Sequence, residues 1–186
     1  YLAASMGMVL AAYEARDLAQ EQFSAFMKQA ANDLAHARPT TSARMARIVE
    51  NALQVVEANL HQRSVMVEKL QEYAIDEVTT RYMSVKKIGT QLAELIPENG
   101  TVMTQCFAET VIGMILLRLR ELGNIRVKFI CPETRPYLQG ARLTASVIRD
   151  MGFEVTVITD NMPGYVLKEK KVDLFTSAAD MITMDG

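Results

Sequence analysis

The sequence contains few of the residues that build disulfide frameworks and metal sites. Its 186 residues include two cysteines, Cys106 and Cys131, and two histidines, His36 and His61. Two cysteines are too few for a disulfide scaffold, so we predict two free thiols in a cytoplasmic protein. Neither histidine has a second metal ligand at a suitable spacing, and the Cys-x-x-Cys motif is absent, so no metal site is predicted.

An excess of positive charge and long hydrophobic runs are also missing. The formal net charge is −2, which gives no support for a phosphate-backbone interface, so nucleic acid is not an expected partner. No apolar run approaches the length of a membrane span. The apolar opening, residues 1–12, has no preceding basic stretch and no cleavage-type pattern, so a signal peptide is not expected.

Residues 1–97 are predicted to form a helical N-terminal domain. Apolar residues recur every three or four positions over residues 1–37 and again over residues 64–95. The Arg38-Pro39-Thr40 turn ends the first of these helices, because the residue before a proline disfavours helical geometry. Another amphipathic helix is predicted between this turn and residue 64.

From residue 98 onward, short apolar strands alternate with helices, which predicts a Rossmann-like domain over residues 98–186. The predicted strands are 101–105, 126–131, 154–159 and 172–176. Alternation with short connections is typical of an α/β fold with a parallel sheet. Because the sequence stops soon after the fourth strand, we interpret it as part of a longer protein whose sheet is truncated at its C-terminal end.

Polar residues follow the predicted strands. They are Cys106, the Glu133–Arg142 loop, Asp160-Asn161 and Asp180. Ligands of open parallel sheets bind beyond the carboxyl ends of the strands, so these residues are expected to converge on a functional site. The three-glycine dinucleotide fingerprint is absent after the first strand, so neither NAD nor FAD is a predicted cofactor.

The Glu133–Arg142 loop is rich in groups that bind anions. Gly140 permits close approach to the start of a helix, where free N–H groups favour an anion. Arg135, Gln139 and Arg142 supply further donors, and a phosphate is the predicted ligand. The alternative is a simple glycine-containing turn in which Arg142 is solvated.

Cys106 and Asp180 are candidate acid/base groups. Cys106 precedes a predicted helix, and helix N-termini favour a thiolate; the alternative is a small buried hydrophobic residue. Asp180 follows small residues that permit close approach and suits acid/base chemistry, whereas the alternative is a loop aspartate that caps a turn. Cys131 is assigned mainly to packing.

The sequence resembles the methylthioribose-1-phosphate isomerase family in six features: the alanine-rich opening helix, the Arg38-Pro39-Thr40 turn, the Cys106 strand, the Glu133–Ala145 block, the Ile158–Asn161 block and Ala178-Ala179-Asp180. That family shares its fold with the alpha, beta and delta regulatory subunits of the eukaryotic translation-initiation exchange factor. The resemblance implies a homodimeric, cofactor-free aldose–ketose isomerase that converts 5-methylthioribose 1-phosphate to 5-methylthioribulose 1-phosphate in methionine salvage. It also implies that Cys106 and Asp180 are the acid/base pair and that Arg38 and Gln139 bind the phosphate.

Two motifs depart from the family pattern. Gln105-Cys106-Phe107 stands where the family has His-Cys-Asn, and Ala178-Ala179-Asp180-Met181-Ile182 stands where it has Gly-Ala-Asp-Arg-Ile. The acid/base pair is retained while its polar neighbours differ. Other readings therefore remain open: an isomerase for a related pentose 1-phosphate or ribose 1,5-bisphosphate, a non-catalytic regulatory subunit that binds a sugar phosphate or a nucleotide, or a phosphosugar-binding domain.

Overall fold

A computed structural model of the chain describes residues 2–37, 42–169, 171–179 and 183–185. The chain divides into two compact units, residues 1–81 and residues 82–186. Within the described ranges, no helix combines the length and the apolar character needed to cross a membrane.

The first unit is helical, and its core comes from amphipathic faces. On the second helix, Phe23, Met27, Ala31 and Ala35 recur every four residues and are all buried. They pack with buried residues of the other helices in one hydrophobic cluster. The helices are α1 Leu2–Glu14, α2 Gln20–His36, α3 Ser42–Ala58 and α4 Arg63–Glu94, the last of which continues into the second unit.

The prediction of one continuous helix over residues 1–37 is wrong, because the chain breaks between α1 and α2. The Arg63 guanidinium donates hydrogen bonds to the carbonyl oxygens of Arg16 at 3.1 Å and Leu18 at 3.0 Å. It also lies 3.8 Å from the centroid of the Phe23 ring. The carbonyl groups at the break thus find a partner that is distant in sequence, which stabilises an interruption that local periodicity does not reveal.

The second unit is built on a four-stranded sheet in which all neighbouring strands are parallel, in the order β3-β2-β1-β4. This confirms the predicted α/β fold, with a helical region followed by a parallel sheet. The strands are β1 Thr101–Thr104, β2 Lys128–Pro132, β3 Glu154–Ile158 and β4 Leu174–Thr176.

Helices α5 Glu109–Glu121, α6 Ala145–Asp150 and α7 Pro163–Lys168 connect the strands. A π-helical turn, Gly140–Thr144, leads directly into α6. Phe129 and Cys131 of β2 share a buried cluster with residues of α5 and α6. Met103, Ile158 and Val166 form a smaller cluster. Alternate strand residues therefore enter different clusters, as expected for a sheet buried on both faces.

The end of α4 belongs with the sheet. Ala93 and Ile96 are part of the buried cluster of the second unit, and a Cβ atom on Gly89 would lie 2.5 Å from the Cβ of Met114 in α5. The boundary between the compact units consequently falls within α4, between residues 81 and 82. The predicted domains 1–97 and 98–186 follow the change from helix to strand instead, and that division stays a prediction.

Candidate active site

Cys106 lies at the end of β1, two residues before the N-cap of α5. It is exposed, and its φ of 57° falls in the left-handed region that non-glycine residues rarely adopt. Together with Gln105 and Phe107 it lines a cavity of about 200 Å³, which is also lined by residues 177–179 beyond β4. The cavity thus lies at the carboxyl ends of two neighbouring strands, β1 and β4.

Two predicted site residues, Arg38 and Asp180, lie outside the described residues. Ala179 directly precedes Asp180 and lines the same cavity as Cys106. The chain therefore lies near Cys106 up to Ala179, the last described residue before Asp180. This placement supports an acid/base pair of Cys106 and Asp180, which stays a prediction.

The carboxylate of Asp160 holds the loop that follows β2. One oxygen accepts a hydrogen bond from the backbone N–H of Thr134 at 2.8 Å, and the other accepts from that of Arg135 at 2.7 Å. The backbone N–H of Glu133 donates to the carbonyl of Ile158 at 2.8 Å. The ends of β2 and β3 are joined by these contacts, so Asp160 organises the loop through its backbone. Asp160 was predicted to lie at this edge of the sheet, but its hydrogen-bond partners were not predicted.

Gly140 is buried, and its lack of a side chain is required by close packing. A Cβ atom there would lie 1.8 Å from the carbonyl oxygen of Pro132 and 2.9 Å from Oγ1 of Thr134. The close approach that this glycine permits is therefore to the end of β2. Approach of a phosphate to the same turn stays a prediction.

Gln139 carries a buried polar group. Its Oε1 atom has no hydrogen-bond partner among the residues that the structure describes. An unsatisfied buried polar atom costs about 1–3 kcal/mol, and such atoms occur at functional sites. Rotation of the amide by a half-turn would exchange this oxygen for the NH₂ group, which donates hydrogen bonds and suits a phosphate.

Arg135 and Arg142 present exposed side chains from the same loop and the π-helical turn. Within the described ranges neither guanidinium forms an ion pair, so both are available to an anion. The Thr144 hydroxyl connects this segment to the other half of the site by donating a hydrogen bond to the backbone carbonyl of Cys106. Thr144 was not among the residues predicted for the site.

Cys131 is the second free thiol, and it is 1% exposed within the core of the second unit. Burial raises its pKa to about 12, because removal from water disfavours the thiolate. The prediction that Cys131 serves packing is confirmed. Its neutral thiol contributes stability below its usual pKa of 9.0, and that contribution is lost as the pH rises toward the folded-state pKa.

The two thiols are expected to differ sharply in alkylation. At about pH 8, only about one in ten thousand Cys131 groups is ionised, because the pKa of Cys131 is about 12. Iodoacetamide should therefore modify Cys106 alone in the folded protein and both cysteines in denaturant, as measured by mass spectrometry. Cys106→Ser is the control and should remain unmodified when folded. Modification of Cys131 at the same rate as Cys106 would contradict the buried placement.

The whole chain, residues 1–186, matches the model of the Initiation factor 2 subunit family. A methylthioribose-1-phosphate isomerase of Heliobacterium modesticaldum is 36% identical over 197 aligned residues, which cover 99% of this chain and 55% of that protein. The chain thus spans about half the length of the curated relatives it matches.

Two solved structures share the fold. The translation initiation factor eIF-2B subunit delta from A. fulgidus is 30% identical with a TM-score of 0.74, and the match covers 97% of this chain and 54% of that one. The 5-methylthioribose 1-phosphate isomerase of Pyrococcus horikoshii OT3 is 27% identical with a TM-score of 0.74, and the match covers 97% and 52%. The resemblance found in the sequence is confirmed, and the chain belongs to the Initiation factor 2 subunit family.

Proposed function

We propose that this chain belongs to an aldose–ketose isomerase, an intramolecular oxidoreductase, that acts on a sugar 1-phosphate. The preferred substrate is 5-methylthioribose 1-phosphate, with a related pentose 1-phosphate as the alternative. The observation that carries the proposal is the cavity lined jointly by Cys106 and residues 177–179. Relatives with that isomerase name, such as the one from Heliobacterium modesticaldum, support the same chemistry.

The reaction moves hydrogen within one molecule and therefore balances without an external oxidant. The bond between C1 and the ring oxygen breaks, and the ring oxygen gains a proton. The hydrogen on C2 moves to C1, and the C2 hydroxyl loses its proton as it becomes a carbonyl. The phosphate on C1 blocks a free aldehyde, which obstructs the ordinary enediol route.

In this proposal, Cys106 and Asp180 divide the transfers between them. Cys106 takes or relays a proton at C1 or C2, and Asp180 handles the proton of the ring oxygen or of the hydroxyl group. In a proton-transfer route, Cys106 moves the proton between C2 and C1. In a hydride shift, the C2 hydrogen passes directly to C1 with its electron pair, and the two side chains move only the protons of the ring oxygen and of the C2 hydroxyl. Neither route needs a group beyond the two side chains and the substrate.

The phosphate is assigned to Gln139, Gly140, Arg135, Arg142 and Arg38. Replacing Gln139 or Arg38 with alanine is expected to raise KM by about ten- to a hundredfold, because a hydrogen bond to a charged group contributes about 1.5–3 kcal/mol. The value of kcat should change less, since the phosphate is held in the ground state and the transition state alike. Steady-state kinetics in the intact protein measures both constants.

Arg126 supplies the control for that experiment. It is exposed and precedes β2 at the opposite end of the strand. Arg126→Ala should leave KM unchanged, while inorganic phosphate or sulfate should compete with the substrate in the parent protein. Equal KM values for Gln139→Ala and the parent, without competition by phosphate, would refute this assignment.

We further propose that the intact protein is a cytoplasmic homodimer. Burying a sheet edge or apolar helix faces against a second copy is a common solution for a sheet-containing unit of this kind. Light scattering at micromolar concentration should give twice the mass of one chain. A monomer mass that does not change with concentration would contradict the dimer.

A non-catalytic regulatory subunit is the second candidate function. The 30% identity to subunit delta of an initiation factor favours it, as do Gln105 and Phe107 beside the cysteine. Phosphorus and carbon NMR of 5-methylthioribose 1-phosphate with the intact protein separates the two. The isomerase should yield a ketose that keeps its phosphate, whereas a regulatory subunit would bind the sugar phosphate and leave it unchanged.

A further inference from the structure

The backbone of Cys106 is held in an unfavourable conformation. Its φ of 57° lies in the left-handed region, which costs a non-glycine residue about 1–3 kcal/mol. Such a residue keeps its geometry only where its surroundings impose it, and such residues cluster at functional sites. The contact that holds Cys106 therefore bears on what its thiol does.

The Thr144 side chain provides that contact. Its hydroxyl donates to the backbone carbonyl of Cys106, a residue 38 positions away in sequence, and Thr144 is fully buried at 0% exposure. The hydroxyl of Ser146, two residues later, donates instead to the carbonyl of Arg142, four residues back. Serine and threonine within a helix commonly form this local bond. Thr144 thus forms a long-range bond where its neighbour forms a local one.

The π-helical turn Gly140–Thr144 positions this hydroxyl. π-Helical geometry occurs mostly as a single turn within an α-helix, and such turns are frequent at functional sites. The backbone N–H of Ala145 donates to the carbonyl of Gly140, five residues back, and Gly140 itself packs against Pro132. The turn is therefore anchored to β2, and Thr144 at its end bonds to Cys106, two residues after the end of β1.

We infer that Thr144 is a positioning residue that holds Cys106 in its left-handed conformation and couples it to the segment from Gln139 to Arg142. This inference rests on the proposed function for its catalytic consequence. A sugar phosphate bound at the segment from Gln139 to Arg142 is then held at a fixed position relative to the thiol of Cys106, because one hydrogen bond joins the two halves of the site. Loss of the bond lets the thiol leave its place in the cavity.

Thr144→Val and Thr144→Ser in the intact protein test the inference. Valine keeps the shape and removes the donor, whereas serine keeps the donor. Thr144→Val should lower kcat by about ten- to a hundredfold with KM for the sugar phosphate changed less than about threefold. Thr144→Ser should restore most of kcat. Equal kcat for the valine variant and the parent would overturn the inference.

Alkylation of Cys106 by iodoacetamide gives a readout without substrate. Thr144→Val should alter its rate by at least about threefold, and Thr144→Ser should return it toward the parent rate. Cys131 reports on the core and should stay unmodified in both variants. If Cys131 becomes modified in Thr144→Val, the valine has disturbed the core, and Thr144→Ala is measured in its place. Modification of Cys131 in Thr144→Ser as well would show that the threonine is purely structural and would overturn the inference.

These measurements separate this inference from the proposed function. An intact parent protein without turnover would defeat the isomerase, while the alkylation rates would still decide the role of Thr144. An active parent whose kcat is unchanged by Thr144→Val would defeat the positioning role and leave the isomerase standing.

Discussion

Cys106→Ser in the intact protein is expected to lower kcat for the sugar 1-phosphate by about 10²–10⁴-fold, the usual contribution of a general acid or base. Asp180→Asn should cause a loss of similar size. Substrate should still bind to both variants, because acid/base groups act chiefly on the transition state. Single-turnover kinetics measures the loss, and isothermal titration with the substrate measures binding.

Cys131→Ala is the matched control, since it removes the other thiol. Cys131 lies within the core, so this variant should lose some stability and keep kcat within about threefold of the parent. If Cys106→Ser retained most of the activity, the thiol would be structural and the proposed mechanism would be wrong.

Gly140→Ala is expected to have the largest effect on stability. The new methyl group would sit 1.8 Å from the carbonyl oxygen of Pro132, a backbone atom that moves only with the end of β2. Overpacking of this kind costs about 3 kcal/mol or more. The urea unfolding midpoint should fall accordingly, and competition by inorganic phosphate should weaken because the turn that carries Gln139 is displaced.

Gly113→Ala in α5 provides the contrast for that experiment. A Cβ atom at Gly113 would meet no atom within 4 Å, and alanine is favoured over glycine inside a helix by about 1 kcal/mol. This variant should therefore raise the unfolding midpoint. A Gly140→Ala protein as stable as the parent would show that the turn does not pack against Pro132 as described.

The sheet was predictable because its signal is local. Predicted strands 101–105 and 154–159 match β1 Thr101–Thr104 and β3 Glu154–Ile158 to within a residue. The break after α1 was not predictable. It depends on the guanidinium of Arg63, which is 45 residues from its partner Leu18, and no periodicity within residues 1–37 reports such a contact.

The candidate site was predicted from strand ends alone, whereas its internal contacts could not be predicted from the sequence. The rule that ligands bind beyond the carboxyl ends of parallel strands predicted that Cys106, the Glu133–Arg142 loop, Asp160 and Asp180 lie at one edge of the sheet. Of these, Asp160 does contact the loop that follows β2. The bonds from the backbone of Thr134 to Asp160 and from Thr144 to Cys106 depend on side-chain direction across the fold. Residue types and spacing carry no information about either bond.

A crystal structure of the intact protein with its sugar phosphate bound is the most direct measurement of the central claim. The account predicts that C1 and C2 of the sugar contact Cys106 in the cavity shared with residues 177–179, with the phosphate at the Gln139-Gly140 turn. Electron density for the sugar phosphate at any other place, with Cys106 out of contact with the sugar, would contradict it.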